Sequence, residues 1–231
     1  MEIKGSSVVG NNRGYTGNVV DYGVIEATYS DISQIISISN SRHIRTIRED
    51  LLEGEGFLGE TLTLDKYMEQ VNKGYKYIIA KRGHPYHEVL GYACIRQGLD
   101  EEIVDTVTMY KPYRYVRHIK DFFRGIHIDT VAVKRGYEGI GVASKLYEAI
   151  QGFSHNLPIT AFIATKPVKN VRSINFHKRV GFTRLGKVDL STKNLNPYLQ
   201  GYDMCSELYV HMSKELKKQI KGYANKEGVT S

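Results

Sequence analysis

Two periodicities of apolar positions run through this chain and mark out a mixed α/β order. Six runs read as strands: VIEATY (24–29), YKYIIAKR (75–82), EVLGYACIRQG (88–98), IHIDTVAV (126–133), PITAFIAT (158–165) and CSELYVHMS (205–213). The second and third flank GHPYH, a connection suited to a hairpin. Four stretches read as helices. SDISQIISISNS carries Ile32, Ile35, Ile36 and Ile38 behind an N-cap at Ser30 or Asp31. TLDKYMEQVNKG enters at Thr63 and closes at Gly74, and a third helix, starting near Ile140, puts Ala143, Leu146, Tyr147 and Ile150 on one face. NVRSINFHKRVG ends the set at Gly181.

Residues 1–22, rich in Gly, Asn and Ser, show little periodicity and read as a flexible arm; residues 23–213 form one domain and 214–231 a basic tail. Residues 99–124 fit no single element and are too long for a simple hairpin connection. No internal repeat is present.

With 41% hydrophobic and 25% charged residues, the chain has the composition of a globular protein with a packed core. Its net charge of +7 favours anionic company without choosing among nucleic acid, membrane surface, phosphorylated cofactor or acidic protein. Cys94 and Cys205 lie far apart on strand-like runs and give neither a disulfide framework nor a metal pair. With no apolar leader at the N-terminus and no 18-residue apolar window, the expected compartment is the reducing cytoplasm, with no membrane association.

The candidate chemistry centres on VAVKRGYEGIGVASKLYEAI (131–150), a strand, a glycine turn and a helix. A nucleotide-binding P-loop is excluded because Val142 and Ala143 follow Gly141 where Lys and Ser or Thr are required. A dinucleotide fingerprint is weak because Ser144 holds its third small position and no downstream acidic residue caps a strand. A ligand-free turn remains open at this point, although the amides of a helix start attract anions. His84 and His87 have no second ligand pair and read as loop residues, so no metal is expected. KPYRYVRHIK (111–120) and the tail interleave basic and aromatic residues as nucleic-acid contacts do, but a solvated arm is the favoured reading.

The turn Gly136-Tyr137-Glu138-Gly139-Ile140-Gly141 resembles the Gln/Arg-x-x-Gly-x-Gly/Ala motif of GNAT N-acetyltransferases. NVRSINFHKRVGF resembles the second motif of that family through Asn170, Ser173, Phe176, His177, Gly181 and Phe182. The resemblance implies the GNAT fold: a central, mostly antiparallel twisted sheet of six to seven strands flanked by about four helices. It also implies acetyl-CoA as cosubstrate. Val131, Ala132 and Val133 would meet the pantetheine arm. Gly139, Ile140, Gly141, Val142 and Ala143 would cradle the pyrophosphate, and Asn170 and Phe176 would approach the cofactor. Gly136 and Glu138 depart from the family pattern, leaving Arg135 and Lys134 as candidates to supply the missing positive charge.

Acetyl transfer needs a neutral amine, so a base must take a proton from an alkylammonium of pKa near 10. Strand alternation puts His127, Asp129, Val131 and Val133 on one face, and Asp129 is the candidate base. His177 stands where the family commonly has a Tyr and is the candidate acid for the departing thiolate. The acceptor is expected along residues 40–59 and 99–124 as a small-molecule or peptide amine; a homodimer is left open. A catalytically weak domain binding CoA or nucleic acid in a regulatory role is the alternative.

Overall fold

The computed structural model describes residues 21–85, 87–110, 119–189 and 205–218. The arm before residue 21, KPYRYVRHIK up to His118 and the tail beyond residue 218 lie outside these. Eight strands form one sheet: β1 (Gly23–Glu26), β2 (Lys76–Lys81), β3 (Val89–Gln97), β4 (Val107–Met109), β5 (Ile126–Val133), β6 (Ile159–Lys166), β7 (Thr183–Asp189) and β8 (Cys205–His211). Their order is β1-β2-β3-β5-β6-β8-β7-β4, and every neighbouring pair is antiparallel except β5 and β6. The mixed α/β class and the mostly antiparallel sheet are as the sequence predicts, with eight strands in place of six to seven. The two additions are β4, only three residues long, and β7, whose alternation is interrupted at Gly186.

Four helices of nine residues or more flank the sheet: α1 (Ile32–Ser41), α3 (Leu64–Asn72), α5 (Val142–Phe153) and α6 (Val171–Arg179). Two single-turn helices, α2 (Leu52–Glu55) and α4 (Glu101–Val104), lie in segments the apolar pattern does not resolve. Leu146, Tyr147 and Ile150 of α5 and Ile174 of α6 pack on one sheet face with Ile78, Ala93, Ile128 and Ala161. On the other face Ile32, Ile35 and Ile38 of α1 and Tyr67 of α3 pack on Tyr77, Tyr92 and Ala132. A third cluster fastens Phe122 and Phe123 to β7 and β8. Tyr22, at the end of the expected arm, is buried in the α5 cluster, so ordered packing begins before Gly23.

Close approach of α5 to the sheet depends on Gly91 of β3, where an added Cβ would lie 2.8 Å from the Ala132 carbonyl oxygen and 2.9 Å from Val142 Cγ1. No helix among the described residues is long and apolar enough to cross a membrane.

Candidate active site

The parallel pair at the middle of the sheet is short. Only Ile126, His127 and Ile128 of β5 register with Ile159, Thr160 and Ala161 of β6, after which the strands part. The cleft that opens there has a volume of about 1640 Å³ and runs from the α5 turn, past Val131 and Phe176, to Asp129 and α3. Since Lys134 N–H bonds the Leu90 carbonyl, ladder alternation turns the backbone groups of Val131 and Val133 away from β3 and into the gap. Ala132 faces β3 with its backbone and buries its side chain beneath α1.

A bulge changes the expected face assignments. Cys94 of β3 is opposite Thr130 and Ile95 is opposite Ile128, so Asp129 is the extra residue. Past it, Val131 and Val133 join Ile128 on the α5 side, while His127 lies against Phe162 with ring centroids 4.8 Å apart. His127 and Asp129 therefore do not share a face with Val131 and Val133; the bulge, invisible in a period-two pattern, shifts the alternation.

Asp129 opens onto solvent in the cleft yet stands within surrounding protein. Poor solvation raises its carboxyl pKa above 3.8, with Arg96, Lys66 and a hydrogen bond from Thr130 (3.4 Å) opposing. Arg96 bonds Asp100 at 2.7 Å and lies over the Tyr75 ring; Lys66 pairs with Glu60. Tyr75 is itself pushed up to about 12 by burial and by Asp129. His127 is buried and neutral, its pKa lowered to about 3 by desolvation and then by Arg96, with Nδ1 2.9 Å from Thr160 Oγ1.

At the other end of the cleft, Gly136, Gly139 and Gly141 all have φ between +82° and +94°, a region costly for side-chain-bearing residues. With Gly141 in the left-handed region as its N-cap, α5 starts at Val142, two residues later than the apolar pattern suggests. An added Cβ at Gly136 or Gly139 would meet nothing within 4 Å, so open space lies beside the turn. The amides of Val142 and Ala143 occupy the first turn of α5, where no intrahelical acceptor exists. Glu138 folds back so that one carboxylate oxygen accepts the Gly136 N–H at 2.7 Å, while the other pairs with Arg42. Arg135 donates to the Ser41 carbonyl (3.3 Å) and lies 3.9 Å from Glu55; Lys134 turns to Glu88 (2.5 Å).

His177 is buried between aromatic rings. Its Nδ1 lies 2.8 Å from the Ser173 carbonyl, which can only accept, so Nδ1 carries the proton. Nε2 then accepts from the Tyr147 hydroxyl at 2.6 Å. Burial depresses the imidazole to about 4 against the support of Ser173, leaving the ring neutral. Phe176 stacks edge-on to Tyr147 at 4.9 Å, with Arg179 over its ring at 5.6 Å, and lines the cleft. Asn170 caps α6 by accepting the Ser173 N–H (3.1 Å) and donates to the Phe57 carbonyl (3.0 Å), tying the segment after α2 to α6.

Arg42, Lys66, Arg96 and Tyr147 enter the cleft without having been singled out in the sequence. Arg42 caps the C-terminal end of α1, Lys66 lies in the first turn of α3 and Arg96 near the end of β3, so none falls on an apolar stripe. Only Tyr147 carried a signal, its place on the apolar face of α5 beside the glycine turn. Among the described residues no group of three or more His, Cys, Asp or Glu side chains is placed to hold a metal ion.

A family model described as acetyltransferase (GNAT) family matches residues 44–182. No curated protein sequence matches. Among solved structures, a GNAT-family acetyltransferase from Streptococcus agalactiae superposes with TM-score 0.58 at 16% identity, covering 88% of this chain and 99% of that one. Naa20 of Chaetomium thermophilum, solved with a bisubstrate analogue, gives 0.54 at 16% identity over 85% and 89%. An N-acetyltransferase from Staphylococcus aureus gives 0.51 at 16% over 83% and 98%. At such identities the likeness is one of fold.

Proposed function

The chain belongs to the GNAT acetyltransferase family, and from that premise we propose that it moves the acetyl group of acetyl-CoA to a primary amine of a small-molecule or peptide acceptor. The observation that carries this reading is the parting of β5 and β6, with backbone edges on one wall, a glycine turn at one end and a carboxylate of raised pKa toward the other.

The residues present fit the cosubstrate. Val131 and Val133 face the gap with hydrogen-bonding backbone groups, the α5 amides and open turn suit a diphosphate, and Phe176 supplies an apolar wall. Gly139, Ile140, Gly141, Val142 and Ala143 would form the diphosphate seat, with Arg135 at its rim; Ala132 would hold the strand edge in place through β3. When bound, acetyl-CoA supplies a thioester, an electrophilic carbonyl with a thiolate leaving group.

Asp129 removes the ammonium proton of the acceptor, directly or through one water. Raising a carboxylate pKa brings it nearer to that of the amine, which improves it as a base so long as it remains ionised at neutral pH. Lys66 and Arg96 preserve that ionisation. The Val131 N–H, aimed into the same gap, is placed to stabilise negative charge on an acyl oxygen. His177 acts by position: it fixes the Tyr147 hydroxyl and through it the α5–α6 contact. Asn170 likewise holds the segment around Phe57 over the cleft.

Calorimetry and intact-mass measurement with acetyl-CoA and a panel of amines test the proposal. Acetyl-CoA is expected to bind and at least one amine to gain 42 Da, the mass of an acetyl group replacing hydrogen. Absence of any acetyl-CoA binding would sink it.

A further inference from the structure

Arg42 follows α1 and its side chain is only 7% exposed. It reaches across 91 residues of sequence to donate from Nε to the Val133 carbonyl at 2.9 Å, at the end of the strand edge that faces the gap. A terminal nitrogen of the same guanidinium pairs with Glu138, whose second oxygen holds the Gly136 N–H at 2.7 Å. The carboxylate thus sits between a guanidinium and a glycine-turn amide, the pair of donors with which proteins receive phosphate oxygens.

The surrounding charge is unbalanced in favour of an anion. Three guanidiniums, Arg42, Arg135 and Arg172, gather near two carboxylates, Glu55 and Glu138. Burial, and after it Arg135 and Arg172, press against the charge of Arg42, with Glu55 in support. A cationic group so placed gains from a diphosphate, which carries more negative charge than Glu138 supplies. The side chain of Lys134 is committed to Glu88, and that of Arg135 to the Ser41 carbonyl at the end of α1.

We infer that Arg42 is the residue that receives the diphosphate of acetyl-CoA, and that Glu138 occupies this seat until the cofactor displaces it. The inference rests on the cofactor reading above. It restores from α1 the positive charge that Gly136 removes from the turn, and it makes cofactor entry an exchange of one anion for another. Arg42 remains anchored on Val133 throughout, so only Glu138 needs to move.

Calorimetry with two probes separates the possibilities: acetyl-CoA, and S-acetylpantetheine, which has the thioester arm but no diphosphate. Glu138→Gln is expected to bind acetyl-CoA about threefold to fivefold more tightly, because a neutral amide no longer competes for a partly exposed pair. Arg42→Lys keeps a charge but cannot bond Val133 and an anion in a fork, and is expected to weaken acetyl-CoA binding about tenfold or more. Glu138→Gln is expected to bind S-acetylpantetheine within about twofold of wild type, and Arg42→Lys, which also loses the Val133 bond, is expected to lose much less affinity for this probe than for acetyl-CoA, since the probe has no diphosphate. Unchanged or weaker acetyl-CoA binding by Glu138→Gln overturns the inference, and so does an equal loss of both probes in Arg42→Lys. Absence of acetyl-CoA binding by wild type and Glu138→Gln alike removes the cofactor reading itself, and this inference with it. Because Glu138 is partly exposed, its variant is expected to fold even if changes at buried Arg42 perturb the α1 end.

Discussion

The bulge on β5 and the aromatic cluster around α6 each bring a titratable group to the wall of the same cleft. His177 is shut off from water and Asp129, although open to the cleft, is crowded by protein around it, and in both the neutral form gains. For Asp129 the neutral form is the protonated acid, so its pKa rises and the ionised carboxylate becomes a stronger base. For His177 the neutral form is the free imidazole, so its pKa falls to about 4 and the cationic proton donor disappears at neutral pH. One physical cause thus moves the two groups in opposite directions, and the base role proposed for Asp129 draws on the first shift. The surroundings sharpen the contrast. Asp129 opens to the cleft with Lys66 and Arg96 sustaining its charge, whereas both nitrogens of His177 are held by Ser173 and Tyr147.

The largest expected effect is on catalysis. Asp129→Asn should lower kcat/KM about a hundredfold to a thousandfold while acetyl-CoA affinity measured by calorimetry stays within about twofold. Wild type should show an acidic limb in kcat/KM above 3.8, in the direction of the raised Asp129 pKa, and the variant should lose it. A retained limb would take the base role from Asp129.

Next comes stability against pH. In the unfolded chain His177 titrates near 6.5 and in the folded protein near 4, so between these values the unfolded state binds more protons. Stability is therefore expected to fall as pH drops through that window, by roughly 3 kcal/mol from this residue. His127, lowered to about 3, adds to the same slope. Denaturant melts of wild type and His177→Gln at pH 7 and pH 4.5 should show a smaller pH loss in the variant. Equal losses would mean that His177 is not held neutral by burial.

A smaller effect separates position from proton donation. His177→Gln, which can still bond Tyr147, should lower kcat by less than about tenfold, whereas loss of a general acid costs about a hundredfold or more. Smallest of all, Arg96→Gln removes the leading charge that opposes the raised Asp129 pKa. It should move the acidic limb of kcat/KM upward by a fraction of a pH unit, and a downward movement would contradict the assignment.

Much of the frame was readable from spacing. The six predicted strands and the four longer helices are present because each carries either an apolar period or, as in β2 and β3, a continuous apolar run long enough to stand out. β4 and β7 escaped because three residues, or seven interrupted by a glycine, carry too little alternation; both are held by pairing with distant strands. In the site, the turn was legible because three glycines at positive φ leave a chemical mark in the sequence. The bulge was not, since an extra residue in one strand is defined only against its partner, and Cys94 and Ile95 lie more than thirty residues earlier.

The sequence by itself determined that a strand, a glycine turn and a helix follow one another, that a second motif carries Asn170, Phe176 and His177, and that Asp129 precedes the turn. Those are properties of near neighbours, which local sterics and periodicity encode. Only the tertiary structure decided that Asp129 faces a cleft while His177 is dry, and that Arg42 reaches Val133 and Glu138. Solvation and pairing depend on what the whole chain places around a group, and residues distant in sequence supply that environment.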